Sequence, residues 1–176
     1  MNGGPAEIQN SEGLFIFMTG GSAGIHVLNS KVGEIDPLNY HGTLTFYESS
    51  WEGGYEIWGN SAIKIKGSVR MLPTVPIFYQ TATMTRTYDV VLRDDLDGSP
   101  FSNVNLNLSK NGTNVWSGTT DSEGKVSFDI VFDYNNYEDE WTLSADADHI
   151  NLSKIISIRI SNPLIINLEL EDDNIH

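Results

Sequence analysis

Residues 14–30 read LFIFMTGGSAGIHVLNS, an apolar run followed by a glycine-rich turn and a second apolar segment. If the segment after the turn is a helix, the chain starts as an α/β protein; if it is a strand, the chain is all-β. Residues 25–37, IHVLNSKVGEIDP, make a poor helix, because they combine β-branched residues with an Asn-Ser pair, a glycine and a closing proline. We therefore predict a strand after the turn. Ser22 is then a turn residue, and the glycines beside it serve the backbone geometry.

The same turn matches two enzyme motifs. Residues 19–25, TGGSAGI, resemble the phosphate-binding turn of short-chain dehydrogenases, and GGSAG fits the nucleophile elbow of α/β-hydrolases, with Ser22 as nucleophile. The dehydrogenase interpretation fails because no good helix follows, and no Tyr has a Lys four residues later. The hydrolase interpretation fails because only 13 residues precede LFIFM, which leaves no room for the oxyanion-hole loop that comes from an earlier strand. We expect no catalytic residues and no enzymatic activity.

The composition excludes several classes of partner. The chain has 24 acidic and 10 basic residues and a net charge of −14. We therefore expect no nucleic-acid ligand, since phosphates require a basic face, and no docking on anionic membranes. No apolar stretch approaches the roughly 20 residues that span a bilayer, so we expect no membrane insertion. The chain has no cysteine, which excludes disulfides and thiolate metal sites.

From about residue 86 onward, apolar and polar residues alternate in seven short runs. The runs are TYDVVLRDD, NVNLNLSKNG, TNVWSGTT, GKVSFDIVFDY, EWTLSADA, KIISIRIS and LIINLEL. Turn clusters such as DDLDGSP and TDSEGK separate them, and Asn111-Gly112 is a good hairpin turn. This pattern predicts an antiparallel sandwich in which one face of each sheet is solvated.

About 85 residues of this C-terminal half resemble the prealbumin-like β-sandwich of carboxypeptidase regulatory domains and collagen-adhesin B-type repeats. The resemblance rests on a D-x-x-G-x-P turn, a V-x-L strand, the string T-T-D-x-x-G-x-V-x-F and a later E-W-T-L-S-A strand. These motifs are carried by Asp95, Gly98, Pro100, Val104, Leu106, Thr119, Thr120, Asp121, Gly124, Val126, Phe128, Trp141, Leu143 and Ala145. The resemblance implies a fold for roughly half of the chain, and it implies little about function.

The first 70 residues differ, since their apolar residues come in short bursts broken by Gly, Asn and Ser. Two stretches look alike: GIHVLNSKV at 24–32 and YEIWGNSAIKI at 55–65 each give a strand, an Asn-Ser pair and another strand. Such units are typical of parallel β-helices, in which each rung stacks on the last. They resemble the end of a right-handed, pectate-lyase-like solenoid. A second small sandwich is the alternative.

The predicted fold class is therefore all-β, with two modules. A short β-helix-like or small β-sandwich N-terminal module (1–72) precedes an antiparallel, seven-stranded Ig/prealbumin-like β-sandwich (85–171). Residues 73–84 form a linker, because Pro73 and Pro76 suit a stiff extended segment. Residues 172–176 form an acidic tail.

Three aromatic residues, Trp51, Tyr55 and Trp58, lie in SSWEGGYEIWGNS. Exposed aromatic rings can stack on the apolar faces of sugars, so these residues are candidates for glycan binding. Side chains alternate along a strand, and we therefore expect at least one of the three to lie in the core.

A second candidate site is the acidic cluster of Asp94, Asp95 and Asp97. Three carboxylates in one loop could ligate Ca²⁺, which takes six to eight oxygen ligands. The alternative is a solvated turn in which the Asp side chains bond to nearby amides. The EF-hand spacing is absent, which favours the turn. We expect no other cofactor.

The predicted function is that of a non-catalytic structural, adhesion or assembly module of a larger exported or cell-surface protein. Exposed strand edges would allow self-association. The alternative is a carbohydrate-binding module or the C-terminal remnant of a polysaccharide-processing β-helix enzyme. The N-terminus lacks the features of a signal peptide, so an exported form would be a mature chain or a piece of a longer one. In an extracytoplasmic protein, the sequons at Asn107, Asn111 and Asn151 would be candidates for glycosylation.

Overall fold

The computed structural model describes residues 5–51, 54, 56–71, 77–146, 156–160 and 162–170. This part of the chain contains fifteen strands and no helix, which confirms the all-β prediction. The strands are β1 Ala6–Gln9, β2 Leu14–Thr19, β3 Ile25–Leu28, β4 Lys31–Leu38, β5 Thr43–Trp51, β6 Glu56–Ile57, β7 Ala62–Met71, β8 Ile77–Phe78, β9 Thr83–Asp94, β10 Asn105–Lys110, β11 Thr113–Thr119, β12 Lys125–Asp133, β13 Trp141–Asp146, β14 Ile156–Ile158 and β15 Ile165–Leu170. None of the described residues belongs to a helix that could cross a membrane.

The chain divides into two compact units. The first takes its described residues from 1–87, 129–138 and 160–164, and the second from 88–128, 139–159 and 165–176. Strands β9 and β12 contribute residues to both units.

The first unit is a parallel β-solenoid of about four turns. One stack, here called the first stack, consists of β1, β3, β5, β7 and the start of β9, and all of its neighbours pair in parallel. Ala6 pairs with Ile25, Ile25 with Leu44, Leu44 with Ile65, and Ile65 with Arg86, so that each turn spans 19 to 21 residues. Of the two predicted alternatives for this region, the β-helix is therefore the one that the structure supports.

A second stack runs along another side of the solenoid and consists of β2, β4, β6 and β8. Strand β2 pairs in parallel with β4, and β6 pairs in parallel with β8. A bridge between Leu38 and Trp58 continues the stack from β4 to the residue that follows β6. The outward-facing side chains of this stack form one of the surfaces considered below.

Each turn bends at two corners where one residue takes a left-handed backbone conformation. At the first corner these residues are Asn10, Asn29, Glu48 and Gly67, with φ values of 50°, 44°, 48° and 94°. At the second corner they are Gly20, Asn39, Gly59 and Gln80. Glycine and asparagine adopt this conformation most readily, which explains why they punctuate the sequence.

The glycine-rich stretch of residues 19–25 lies at the second corner. Gly20 and Gly21 have φ values of 60° and 82°, and β3 and β4 follow them where an enzyme motif would need a helix. The predicted turn is thereby confirmed. The Asn-Ser pairs of 24–32 and 55–65 are predicted from the sequence to be equivalent, and the structure shows that they are not. Asn29 lies at the first corner, whereas Asn60 lies beside Gly59 at the second.

The interior of the solenoid is apolar because alternate residues of each strand point inward. Leu44, Phe46, Ile63 and Ile65 are almost fully buried, and the ring of Phe46 stacks on Trp51 at 6.0 Å between centroids. Each such side chain stabilises the fold by about 1.5–3 kcal/mol through burial.

The second unit contains two groups of strands. An antiparallel sheet has the order β11-β10-β13-β14. Beside it, residues 89–94 of β9 pair in parallel with β15, and β12 is another neighbour of β9. All seven predicted C-terminal strands are present, and the four-stranded sheet is antiparallel as predicted. The pairing of β9 with β15 corrects the prediction of a wholly antiparallel module, because alternation determines which face a residue occupies but not the direction of a distant partner.

Aromatic contacts join the two groups of strands in the second unit. Phe128 of β12 lies against Trp116 of β11 at 5.2 Å and against Tyr88 of β9 at 5.5 Å between ring centroids. The Tyr88 hydroxyl donates a hydrogen bond of 3.0 Å to the carbonyl of Arg159. These side chains form the core of the unit together with buried leucines from β9, β10 and β13.

The predicted linker at 73–84 needs a partial correction. Pro73 and Pro76 lie outside the described residues, as does the predicted tail at 172–176. Residues 77–78 form β8, and β9 begins at Thr83, so the described part of the segment largely belongs to the first unit's sheets.

Candidate functional site

Trp51, one of the predicted glycan-binding residues, lies inside the solenoid. Its side chain is 1% exposed, and its ring stacks on Phe46. The prediction that Trp51 contacts a sugar is wrong, because the inward-facing register of β5 places its ring in the core. The accompanying prediction, that at least one of the aromatic residues would be buried, is confirmed.

Trp58 is 37% exposed and lies on the outward side of the second stack. Its ring stacks on that of Tyr79, one turn later, with centroids 3.8 Å apart and planes 8° apart. One face of the indole is therefore covered by Tyr79. Tyr55 lies outside the described residues.

The outer face of the second stack combines exposed apolar side chains with carboxylates. Its apolar members are Phe15, Phe17, Leu38, Trp58 and Ile77, and its acidic members are Glu34, Asp36 and Glu56. The Asp36 carboxylate accepts a hydrogen bond of 3.3 Å from the backbone N–H of Glu56. The sequence-based prediction missed Phe15 and Phe17, although the unbroken run LFIFM already indicated a strand with both faces apolar.

In the described part of the chain, β1 and β2 form the first turn of the solenoid. In the described part of the chain, β1 pairs only with β3, and β2 pairs only with β4. Phe15 and Phe17 of β2 are 53% and 58% exposed, with their ring centroids 6.4 Å apart. Edge strands usually carry lysines, prolines or bulges that prevent further pairing. Strand β2, with the sequence LFIFMT, has neither a lysine nor a proline.

The first corner carries a ladder of serine hydroxyl groups. The backbone N–H of Ser11 donates to Ser30 Oγ, and that of Ser30 donates to Ser49 Oγ, each at 3.2 Å. The hydroxyls of Ser30 and Ser49 in turn donate to the carbonyls of Leu28 and Tyr47, at 2.7 and 2.9 Å. The ladder fixes the positions of these serines from one turn to the next.

A shallow groove of about 440 Å³ runs along the first corner and is called here the corner groove. All nine of its lining residues are polar or charged: Ser11, Glu12, Asn29, Ser30, Lys31, Glu48, Ser49, Ser50 and Ser68. It offers hydrogen-bond donors and acceptors with no aromatic platform. The sequence signal for it was the recurrence of a left-handed residue followed by Ser every 19 residues, at 10, 29, 48 and 67.

The predicted calcium ligands lie in a turn after β9. Asp94 Oδ1 accepts from the N–H of Leu96 at 2.7 Å, and Asp97 Oδ1 accepts from the N–H of Ser99 at 2.8 Å. The hydrogen bonds from Ser99 hold the pKa of Asp97 below its ordinary value. Among the described residues, no group of three acidic or histidine side chains is placed to hold a metal ion. These bonds support the turn alternative for Asp94, Asp95 and Asp97.

The candidate glycosylation residues lie in different settings. Asn107, on β10, accepts hydrogen bonds from Asn114 Nδ2 and Ser117 Oγ at 3.2 and 2.7 Å. Asn111 is exposed at the hairpin turn, with a φ of 51°. Asn151 lies outside the described residues.

No family model and no curated protein matches this chain. Among solved structures, it is similar to the Bacillus anthracis TIE protein, with 14% sequence identity and a TM-score of 0.40. The match covers 64% of this chain, which spans 19% of the length of that structure. A likeness at this level carries no argument about function.

Proposed function

We propose that this chain is a non-catalytic structural and assembly module of a larger exported or cell-surface protein. The observation that supports this proposal is the exposure of Phe15 and Phe17 at the edge of β1 and β2, where each strand pairs on one side only among the described residues. Such an edge accepts an additional strand through main-chain hydrogen bonds, and neighbouring apolar side chains add affinity.

The proposed occupant of the edge is the same edge of a second copy. Two copies related by a two-fold axis would pair their edge strands and bring four phenylalanine rings together, since such an interface is self-complementary. Apolar contact and backbone pairing would then have to offset the mutual repulsion of two chains with a charge of −14 each. We therefore expect association to strengthen with salt, which screens that repulsion.

We assign the second unit to the prealbumin-like class, and the structural roles of its motif residues support this assignment. The Asp121 carboxylate accepts from the amides of Glu123 and Lys125, at 2.8 and 2.9 Å, and so shapes the T-T-D-x-x-G turn. Gly124 has a φ of 73°, and a Cβ there would lie 2.4 Å from the carbonyl oxygen of Leu92. In the proposed function this unit is a spacer.

Size-exclusion chromatography with light scattering, run over a range of protein and salt concentrations, tests the assembly proposal. We expect a dimer that dissociates when Phe15 and Phe17 are both replaced by Ser. The matched control is Leu96→Ser, which removes another exposed apolar side chain, from the turn after β9. A strict monomer at high protein and salt concentrations would overturn the proposed self-association.

Carbohydrate binding is the second candidate, favoured by the exposure of Trp58 beside Asp36 and Glu56 on the outer face. A glycan array combined with a broad polysaccharide-cleavage assay tests it. Saturable binding that is lost on Trp58→Ala would support a carbohydrate-binding module, and turnover would overturn the non-catalytic role. Trp51→Ala is unsuitable as a binding variant, because Trp51 is part of the core.

A further inference from the structure

We propose that the corner groove binds a short, linear, uncharged ligand rich in hydroxyl groups, which is the chemistry of a neutral oligosaccharide. This site is separate from the outer face that carries Trp58. The proposed ligand-binding role is additional to the assembly role and does not depend on it.

The groove has the shape that a linear ligand requires. Its lining comes from all four turns: residues 11–12, 29–31, 48–50 and 68. Parallel strands are spaced by roughly 4.8 Å, so equivalent side chains recur at that interval along the groove. This interval is close to the length of one sugar unit, and each unit of an extended chain would meet the side chains of a new turn.

The floor of the groove is rigid before any ligand arrives. Ser30 and Ser49 are only 3% and 5% exposed, and the serine ladder fixes both of their hydroxyls. The left-handed corner residues Asn29 and Glu48 stand beside that floor. A site that is already ordered loses little conformational entropy on binding.

The walls offer both donors and acceptors to a hydroxyl-rich ligand. Lys31 donates, Glu12 and Glu48 accept, and the amide of Asn29 does both, which suits hydroxyl groups that themselves donate and accept. All four side chains are exposed. The ion pairs found among the described residues involve none of them.

The charge of the groove selects against anionic polymers. The lining includes two carboxylates, of Glu12 and Glu48, and one ammonium group, of Lys31, in a chain of net charge −14. A polyuronate or sulfated glycan would be repelled by this field. A neutral chain avoids that cost, and in the absence of an aromatic platform we expect weak binding, with a Kd on the order of 1 mM.

The test is a titration of the whole chain with four neutral hexasaccharides, of β-1,4-glucan, β-1,4-mannan, β-1,4-xylan and α-1,4-glucan, and with hexagalacturonate as the anionic comparison. Binding is followed by calorimetry and by amide chemical shifts. We expect saturable binding of at least one neutral chain, with weaker or no binding of hexagalacturonate. Lys31→Ala and Glu48→Gln should each weaken that binding by at least fivefold.

Three controls separate this site from the other proposals. Trp58→Ala should leave binding unchanged, as should the Phe15→Ser/Phe17→Ser double variant, whose oligomeric state reports on assembly alone. Circular dichroism checks that each variant is folded. The proposal is overturned if no neutral chain binds, if hexagalacturonate binds more tightly, or if binding responds to Trp58→Ala and not to the groove variants.

Discussion

The backbone N–H of Ser30 donates a hydrogen bond to the hydroxyl of Ser49, which lies 19 residues later at the same corner of the next turn. Ser11 makes the same bond to Ser30. Because Ser30 is buried, its N–H cannot bond to water if the Ser49 hydroxyl is removed. The serine ladder therefore holds successive turns in register, in addition to the main-chain pairing of the strands.

Ser49→Ala should lower the free energy of unfolding by about 1–3 kcal/mol, because the N–H of Ser30 would remain buried without an acceptor. Urea unfolding followed by circular dichroism measures the change. The control is Ser68→Ala, at the equivalent position of the last turn, where the side chain is exposed and a change within about 0.5 kcal/mol is expected. Equal losses for the two variants would contradict the role assigned to the ladder.

Gly67→Ala should be among the most destabilising single substitutions in the solenoid. Gly67 has a φ of 94°, and a Cβ there would lie 2.2 Å from the carbonyl oxygen of Phe46. We expect a loss of about 3 kcal/mol or more in thermal or urea unfolding. Gly20→Ala provides the comparison, since its φ is 60° with no atom within 4 Å of the added Cβ, and it should cost only about 1–2 kcal/mol.

Gln80→Gly should stabilise the protein by about 0.5–1 kcal/mol, even though it removes a side chain. Gln80 has a φ of 57°, a conformation that glycine adopts without the steric cost that it imposes on glutamine. A rise in Tm by differential scanning calorimetry is the expected result. The same change at Gln9, at the end of β1, should lower Tm instead, and a fall at both positions would count against strain at the second corner.

Asp129 should make the protein's stability depend on pH in acid. Burial raises the pKa of this carboxyl, but hydrogen bonds from Lys64 and Thr87, at 2.6 and 2.7 Å, outweigh burial and hold the pKa below its ordinary value of 3.8. The stability contributed by the carboxylate is therefore complete above pH 3.8 and is lost as the pH falls through the lower pKa of the folded state.

Urea unfolding of wild type and Asp129→Asn at several pH values checks this prediction. The advantage of the wild type should be constant above pH 3.8 and should shrink below it. Asp95→Asn, in an exposed turn, controls for the loss of one negative charge. If the difference in stability between wild type and Asp129→Asn grew as the pH fell, the pKa of Asp129 would be raised in the folded state and not lowered.

The strands of the second unit could be predicted from sequence because their alternation is regular and their turns are specific. Asn111 and Gly112 take φ values of 51° and 76°, as a tight hairpin turn requires. The parallel pairing of Ile165 with Asp89 could not be predicted in this way. Those residues are 76 positions apart, and alternation within a strand does not encode the direction of so distant a partner.

The solenoid repeat could be predicted only in part from the sequence, because each corner requires a left-handed backbone conformation and not a particular residue type. Asn10-Ser11 and Asn29-Ser30 are equivalent and share the same letters. In the next two turns Glu48 and Gly67 occupy the asparagine position, and the repeat is hidden from a comparison of letters. The Asn-Ser pair at 60–61 therefore looked equivalent although it lies at the other corner.

The candidate glycan-binding residues failed for a related reason. Counting by twos predicts the face of a side chain only within one unbroken strand, and Trp51 and Trp58 belong to different segments: the end of β5 and the bridge residue after β6. One ring points into the core and the other points outward. Motif reasoning missed the corner groove, because its residues come from four turns and are brought together only by the stacking.

The parallel pairing of β9 with β15 determines how the second unit would bear tension. Six consecutive residue pairs, from Asp89 with Ile165 to Asp94 with Leu170, join the two strands. Pulling the start of β9 away from the end of β15 would slide the strands along each other, so the hydrogen bonds would share the force instead of opening one at a time. A unit pulled at those two points would resist mechanical extension.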